Sequence, residues 1–435
     1  GKRPRRGRRL VAAYPSSHRQ GARRARKAVY PTVSTEGLEG VLPWSAAHQI
    51  ANTCAQPLPA VRARLDEASG SLLAQPILML DDDPVENIAA VNGYALCGQG
   101  PWRRTPEEIL APGECFMVRA GTPMPEHADA VMPLEQAVSE QGRGNIITVT
   151  GRDILSGLAD ERVRPAFGDG VMLRGSRTPQ GTQILPAGRL VTAAVLALMA
   201  AAGHDDVPIV RPPIVGTLVL GSSLLTSGGS RLGRARDALG DSVPAFVAAL
   251  GARANPAVRA PDIHEVIRAE IEDANVDVLI TTGSTAPDSD NSVRHVLRDL
   301  DARWLIDGVA VTPGAQMLLA RLPDGRLVVG LPGSPQSAFA GLVTLVSPII
   351  RSLRGVPRED YPTAVLVDDA PRADFADDTR LAPVRLEDDG ADGLLARPML
   401  DSGPAGLIGW GNADAIAIVP PGTGIKGDTI SLILP

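Results

Sequence analysis

The sequence predicts a multidomain protein of mixed class: a doubly wound α/β domain accompanied by β-rich parts. Three observations carry this. Strand and helix patterns alternate from Pro212 onward. Short apolar runs broken by Gly and Pro fill the stretch from Ile77 to about Pro179, and short strands return after Pro357. A chain of 435 residues is also too long for one core.

Taken in order, Leu42 to Gln56 carries apolar residues at helical spacing, with Pro43 or Ser45 to open the helix and Pro57 beyond its end. In the β-rich stretch, Ala130–Met132 and Asn145–Val149 read as strands. The Gly181–Gly188 segment is a turn before a helix over Thr192–Ala202. In the α/β stretch, Ile214–Leu220 is a strand, Ser242–Leu250 and Ile263–Glu272 are helices, and Val276–Thr281 is a strand. A helix over Ser292–Leu300, a strand over Trp304–Val311, a strand over Leu327–Leu331 and a helix from Pro335 follow. Alternation of this kind predicts a mostly parallel sheet. Ala364–Val367, Val384–Leu386, Ala415–Val419 and Thr429–Leu434 then build a small β domain or barrel.

Composition narrows the class. Aromatics are only 3%, so the cores rest on Ala, Val, Leu and Ile. No apolar run reaches the roughly 18 to 20 residues of a membrane span. Ala338–Leu353 is interrupted by Ser347 and Pro348 and reads as a core helix. Cys54, Cys97 and Cys115 have no metal or redox spacing, and so sparse a count suits a reducing cytoplasm. Of 43 Lys+Arg, 11 fall in the first 27 residues, which hold no acid; the other 32 face 49 Asp+Glu, a net of −17. The arm over 1–41 is therefore expected to be disordered, either a handle for acidic partners or solvated sequence without a role, and no apolar stretch after its charges suggests a signal peptide. The acidic body excludes general nucleic-acid binding.

Turns at strand ends are the chemical signal. They are Thr282-Gly283-Ser284-Thr285, Thr312-Pro313-Gly314-Ala315 and Leu331-Pro332-Gly333-Ser334-Pro335. The last follows a buried strand and opens a long apolar helix, a strand–loop–helix unit whose backbone amides suit an anion. Ser334 serves equally as a plain N-cap, with Pro335 at the first helical position.

Six motifs in order carry a resemblance. Asn92-Gly93-Tyr94-Ala95 is followed by Ala120-Gly121-Thr122-Pro123-Met124-Pro125-Glu126 and by Pro186-Ala187-Gly188 before a helix. The three turns above complete the set, and the likeness runs from about Leu42 to the C-terminus. The chain resembles the MoeA/gephyrin E-domain family, the molybdenum insertases of molybdenum cofactor biosynthesis. The resemblance implies a linker region over 42–76 plus 180–208 and a β-rich domain over 77–179. It also implies a MogA-like molybdopterin-binding α/β domain over 209–355 and a C-terminal β domain over 356–435. It further implies an elongated homodimer, with the cleft between the α/β domain of one protomer and the β-rich domain of the other. The implied reaction takes adenylated molybdopterin and molybdate, hydrolyses the adenylate with Mg2+, and inserts molybdenum.

Glycines and prolines of the family pattern persist while its charged residues are replaced. Family Asp-Gly-Tyr-Ala is here Asn92-Gly93-Tyr94-Ala95, and Gly-Glu-Asp is Gly175-Ser176-Arg177. Thr-Gly-Asp-Glu is Leu220-Gly221-Ser222-Ser223; Gly-Gly-Val-Ser is Gly283-Ser284-Thr285-Ala286, and the family aspartate that follows it aligns with Asn291. Lys-Pro-Gly-Lys-Pro is Thr312-Pro313-Gly314-Ala315-Gln316. Catalytic positions are thus substituted at Asn92, Ser176, Ser222, Thr312 and Ala315. An amide or hydroxyl is no anionic metal ligand, and each lost electrostatic group typically costs about 10² to 10³ in rate.

The ligand-binding candidates are Gly93, Gly121, Thr122, Gly283, Ser284, Thr285, Pro313, Gly314, Pro332, Gly333 and Ser334. Asp82, Asp288 and Asp290 are metal candidates, weighed against solvated loop acids. Arg119, Arg177, Trp304 and Trp410 read as surface or core residues rather than ligand contacts. Three functions follow as expectations. The first is a gephyrin-like dimeric scaffold with impaired insertion that binds protein partners, such as a cytoplasmic segment of a membrane or cytoskeletal protein. The second is an active molybdopterin molybdotransferase. The third is a protein that binds molybdopterin without turnover.

Overall fold

The structure, a computed structural model, describes residues 40–142, 147–153, 155–285, 293–358, 360–388 and 393–434. The basic arm, apart from Gly40 and Val41, lies outside these residues, as do Asp288, Asp290 and Asn291.

The α/β sheet runs Arg253–Ala254, Ile214–Leu220, Val278–Thr282, Leu327–Leu331, Leu318–Arg321, Arg303–Asp307. The strands 214–220, 278–282 and 327–331 are parallel, and the last two join antiparallel. The alternating side chains of strand 214–220 feed two cores, Val215 on one face and Leu218 and Leu220 on the other, as expected of a sheet covered on both sides. Helices Ser242–Ala249 and His264–Asp273 take the two faces through Val243 and Val247 and through Ile267 and Ile271.

One expectation needs correction. The run Trp304–Val311 is not one strand. It breaks at Gly308, whose φ is +95°, into Arg303–Asp307 and Val309–Thr312. The first half stays in the α/β sheet, while the second pairs in parallel with Thr379–Asp388. The strand Leu318–Arg321, absent from the sequence reading, fills the gap.

The helix from Pro335 runs through Pro348 to Arg354, in keeping with the core helix read over Ala338–Leu353; its 20 residues are long and apolar enough to cross a membrane by composition alone, most of them buried in this fold. Its middle, Leu342–Val346, is a π turn. Proline lacks an N–H and leaves a carbonyl one turn back without a partner. Here that carbonyl, Thr344 O, accepts from His48 Nδ1 at 2.9 Å. Because Nδ1 donates, Nε2 accepts, and the Tyr361 hydroxyl donates to it at 2.6 Å. The Trp44 ring stacks on His48 at 4.8 Å and its Nε1 donates to Thr344 Oγ1 at 2.9 Å. Burial, reinforced by Arg358 and Arg351, lowers the imidazole pKa to about 4, so His48 is neutral. The helix Trp44–Thr53 is thereby bolted to the long helix.

The C-terminal strands close a ring. Thr379–Asp388, Leu394–Pro398, Thr363–Leu366, Thr429–Ile433 and Ala415–Val419 follow one another, and the last pairs back to the first. This is a five-stranded barrel with Leu366, Ala382, Val384 and Leu432 inside. A separate six-stranded sheet, ordered Ala130–Pro133, Gly93–Cys97, Glu114–Val118, Trp102–Arg104, Ile147–Gly151, Ala137–Gln141, holds the β-rich stretch. Between it and the α/β sheet, Ala60–Arg64 pairs with Asp206–Val210 over the helix Ala193–Ala201.

Candidate functional site

Three turns leave the carboxyl ends of the parallel strands together. Register places Val219 beside Thr282 and Thr282 beside Leu331, and the chain then turns at Gly221, Gly283 and Gly333. The amide of Gly283 donates to Leu331 O at 2.9 Å. At Gly283 the φ is +87° and a Cβ would lie 2.8 Å from Leu220 O, so glycine is required on both counts. A Cβ on Gly333 would already touch Gly283 Cα at 3.4 Å. The crevice beyond strand carboxyl ends is where open α/β sheets take ligands. Ser284 has a φ of 52°, a left-handed conformation uncommon outside glycine. Thr285 is buried, and its carbonyl accepts from Arg294 Nε at 2.9 Å. Buried Arg294 also pairs with Asp307 and donates to Gln316 O at 3.2 Å, tying this turn to the one after Thr312.

In that fourth turn Pro313 and Gly314 are buried and Ala315 is exposed. Gly314 has a φ of +108°, and a Cβ there would press on Ser337 O at 3.0 Å. Thr312 is buried; its Oγ1 donates to Asp378 Oδ2 at 2.9 Å and accepts from the Asp374 amide at 3.0 Å. Where the resemblance puts a lysine, a hydroxyl now engages a barrel carboxylate. Beside it in register stands Arg380, paired with Asp401. Arg380 Nε and Asp401 Oδ1 are buried and have no hydrogen-bond partner among the described residues. Burial holds the Arg380 guanidinium below its ordinary pKa.

Pro332 is buried, whereas Gly333 and Ser334 are exposed. Ser334 occupies the N-cap position and Pro335 the first helical one, as expected, but the Ser334 side chain makes no capping bond.

The remaining candidates form a second group on the β-rich sheet. The Asn92 side-chain oxygen accepts from the Ala120 amide at 2.9 Å, and in the same loop the Gly121 amide donates to Ala89 O while the Ala89 amide donates to Thr122 O. Thr122 Oγ1 donates to Arg119 O at 2.7 Å. Gly93 is needed for contact, since a Cβ would lie 2.0 Å from Met132 O. Gly175, with a φ of +68°, opens the turn holding Ser176, and Arg177 lies 3.6 Å from Asp83. Asp82 accepts from the Gln180 amide at 2.8 Å and from Arg174 Nε at 2.6 Å, and these two bonds hold it below the usual carboxylate range.

No hydrogen bond, ion pair or core cluster among the described residues joins this second group to the crevice. Nor do the described residues fit a divalent ion. No group of three His, Cys, Asp or Glu able to hold one occurs among them. Asp82 is engaged by Arg174 and Gln180 instead. Trp410 packs on Phe339 at 6.3 Å and Arg298 lies 5.9 Å over Trp304, both consistent with packing roles. Sequence reasoning missed Arg294, Asp378, Arg380 and Asp401, whose places depend on contacts between distant segments.

Comparison with known proteins gives consistent likenesses. A family model of the MoeA N-terminal region (domain I and II) matches residues 42–203. One of the probable molybdopterin binding domain matches residues 216–352. The molybdopterin molybdenumtransferase of Bacillus subtilis is 30% identical over 339 residues, 75% of this chain and 74% of its own length. That of a Nostoc species is 26% identical over 329 residues, 69% of this chain and 71% of its own. The molybdopterin biosynthesis MoeA protein of Pyrococcus horikoshii has a similar fold, with a TM-score of 0.69, 23% identity and coverage of 91% of this chain and 99% of that one.

Proposed function

The chain belongs to the MoeA family of molybdopterin molybdenumtransferases, and from that premise we propose that it is a homodimeric binding platform whose molybdenum insertion is impaired. It is a MoeA-like protein of molybdenum cofactor biosynthesis. In this reading it acts in the cytoplasm, retains a crevice for molybdopterin or its adenylate, and binds protein or peptide partners. A cytoplasmic segment of a membrane or cytoskeletal protein is the expected partner class.

The observation that carries the reading is the state of the substituted positions and of the metal candidate Asp82. Thr312 is tied to Asp378, Asp82 is held by Arg174, and Asn92 and Ser222 offer no carboxylate. The backbone geometry of the turns supports binding, whereas the metal-assisted hydrolysis implied by the family needs anionic ligands and cationic clamps. Two copies would bring the β-rich group of one to the crevice of the other, consistent with their separation within a single chain.

The test is insertion in vitro. Purified protein receives adenylated molybdopterin, molybdate and Mg2+, and active cofactor is read through an apo-molybdoenzyme, with an authentic family member alongside. The expected rate is lower by more than about 10², the loss typical of even one missing electrostatic group. A rate within about tenfold, a gap of roughly 1.4 kcal/mol, overturns the reading. One observation favours an active transferase as the second reading: similarity to the Bacillus subtilis enzyme spans three quarters of both chains.

A further inference from the structure

The loop after strand 214–220 is basic where the family pattern is acidic. From Ser222 to Arg236 it holds Arg231, Arg234 and Arg236 and no Asp or Glu, in a body that is otherwise strongly acidic. The loop is folded. Arg231 and Arg234 exchange backbone bonds of 3.0 and 2.8 Å around Leu232 and Gly233, whose φ is +67°. The returning limb is fastened to the outgoing one by Leu225 N to Ala235 O at 2.8 Å and Asp237 N to Leu225 O at 2.9 Å. The loop backbone is therefore anchored beside the sheet end, with Arg231 and Arg234 exposed and Arg236 half-buried.

Arg234 Nε donates to Ser223 O at 3.3 Å. This sets a guanidinium beside the Ser222–Ser223 turn, next to the point where Gly283 approaches Leu220. Arg236 Nη1 is sealed from solvent with no hydrogen-bond partner among the described residues. Asp237, the first acid downstream, is already engaged by Arg259 Nε at 2.8 Å and by the amides of Leu239 and Gly240 at 2.9 Å each. Among the described residues none of the three loop arginines has an ion-pair partner. A buried donor without an acceptor carries a desolvation penalty that an incoming anion relieves.

We propose that Gly221–Arg236 is an anion-binding loop that takes a phosphoryl group at the mouth of the crevice, with Arg234 and Arg236 as its cationic groups and Ser222 and Ser223 as neutral donors. Two carboxylates at 222 and 223 would draw a cation and repel phosphate. Two hydroxyls under a guanidinium reverse that preference, and the planar fork of arginine suits phosphate oxygens. The inference rests on the loop alone and not on the fate of insertion, so the two fail separately.

Calorimetric titration of the full chain with inorganic pyrophosphate and with AMP tests it. The wild type is expected to bind at least one probe, and more weakly as salt rises. Tighter binding of AMP identifies a phosphate ester as the ligand, and tighter binding of pyrophosphate a free polyphosphate. Arg234→Gln combined with Arg236→Gln is expected to weaken binding at least tenfold, with thermal melting to verify the fold. Ser222→Asp combined with Ser223→Glu removes no arginine but places carboxylates beneath Arg234, and is expected to weaken binding comparably. A wild type that binds neither probe, or folded variants that both bind like the wild type, overturns the proposal.

Discussion

Two buried polar clusters sit where the long helix and its neighbours meet other parts of the molecule, and they differ in completeness. Around His48, Thr344 O, Thr344 Oγ1 and both imidazole nitrogens are all partnered. Around Arg380, the pair with Asp401 leaves Arg380 Nε and Asp401 Oδ1 buried and without partners among the described residues. The complete cluster has a cause in the fold, because Pro348 frees a carbonyl that must be satisfied. The incomplete one has no such cause and lies in register with Thr312, at a substituted position of the crevice. A closed network rigidifies and specifies packing, whereas an open one carries buried polar groups whose cost the fold does not recover.

Removing one partner of the incomplete pair should have the largest effect. Arg380→Met leaves Asp401 buried and uncompensated, a cost of about 3–5 kcal/mol in chemical denaturation. Adding Asp401→Leu should restore most of that stability, since an apolar pair can replace a buried ion pair at little cost. A double variant no more stable than the single one would show that the pair is structural, and the contrast between the clusters would collapse.

His48→Leu comes next. It strands the buried Thr344 carbonyl and removes the bond from the half-buried Tyr361 hydroxyl, at about 1–3 kcal/mol, chiefly for the carbonyl. The same histidine sets a pH dependence. Its pKa falls from 6.5 unfolded to about 4 folded, so the unfolded chain binds the extra proton between those values. Stability is fully present above pH 6.5 and falls as the pH drops toward 4, by about 3 kcal/mol. Denaturation midpoints across that range should shift in the wild type and much less in His48→Leu. Equal acid sensitivity in both would remove His48 as the source.

What the sequence made legible was local. The strands Ile214–Leu220 and Ala415–Val419 end where their apolar runs end, and the glycines of the turns show their role because φ is a property of single residues. The long helix was legible as a core helix across Pro348, but the partner of the carbonyl freed there was not, because His48 lies 296 residues from Thr344 in sequence. The split at Gly308 was signalled by glycine inside an apolar run, but the destination of its second half was not, since Thr379–Asp388 lies in a different part of the chain. The substituted site positions were legible as identities. Their partners, Asp378 for Thr312 and Arg174 for Asp82, were not, because pairing across 66 and 92 residues leaves no periodic trace.

The smallest expected effect separates capping from binding within one residue type. Thr192 caps the helix Ala193–Ala201 with its Oγ1, accepting from Val195 N at 3.4 Å. Ser334 holds the same position on the long helix without using its side chain. Thr192→Ala should therefore lose about 0.5–1 kcal/mol, the low end for a cap joined by a long bond, while Ser334→Ala should stay within about 0.5 kcal/mol of the wild type. If Ser334 serves a ligand in the crevice, its alanine variant binds the phosphoryl probes or molybdopterin more weakly at unchanged stability. A loss of stability matching that of Thr192→Ala would make Ser334 an ordinary cap in solution and return the crevice to its backbone groups alone.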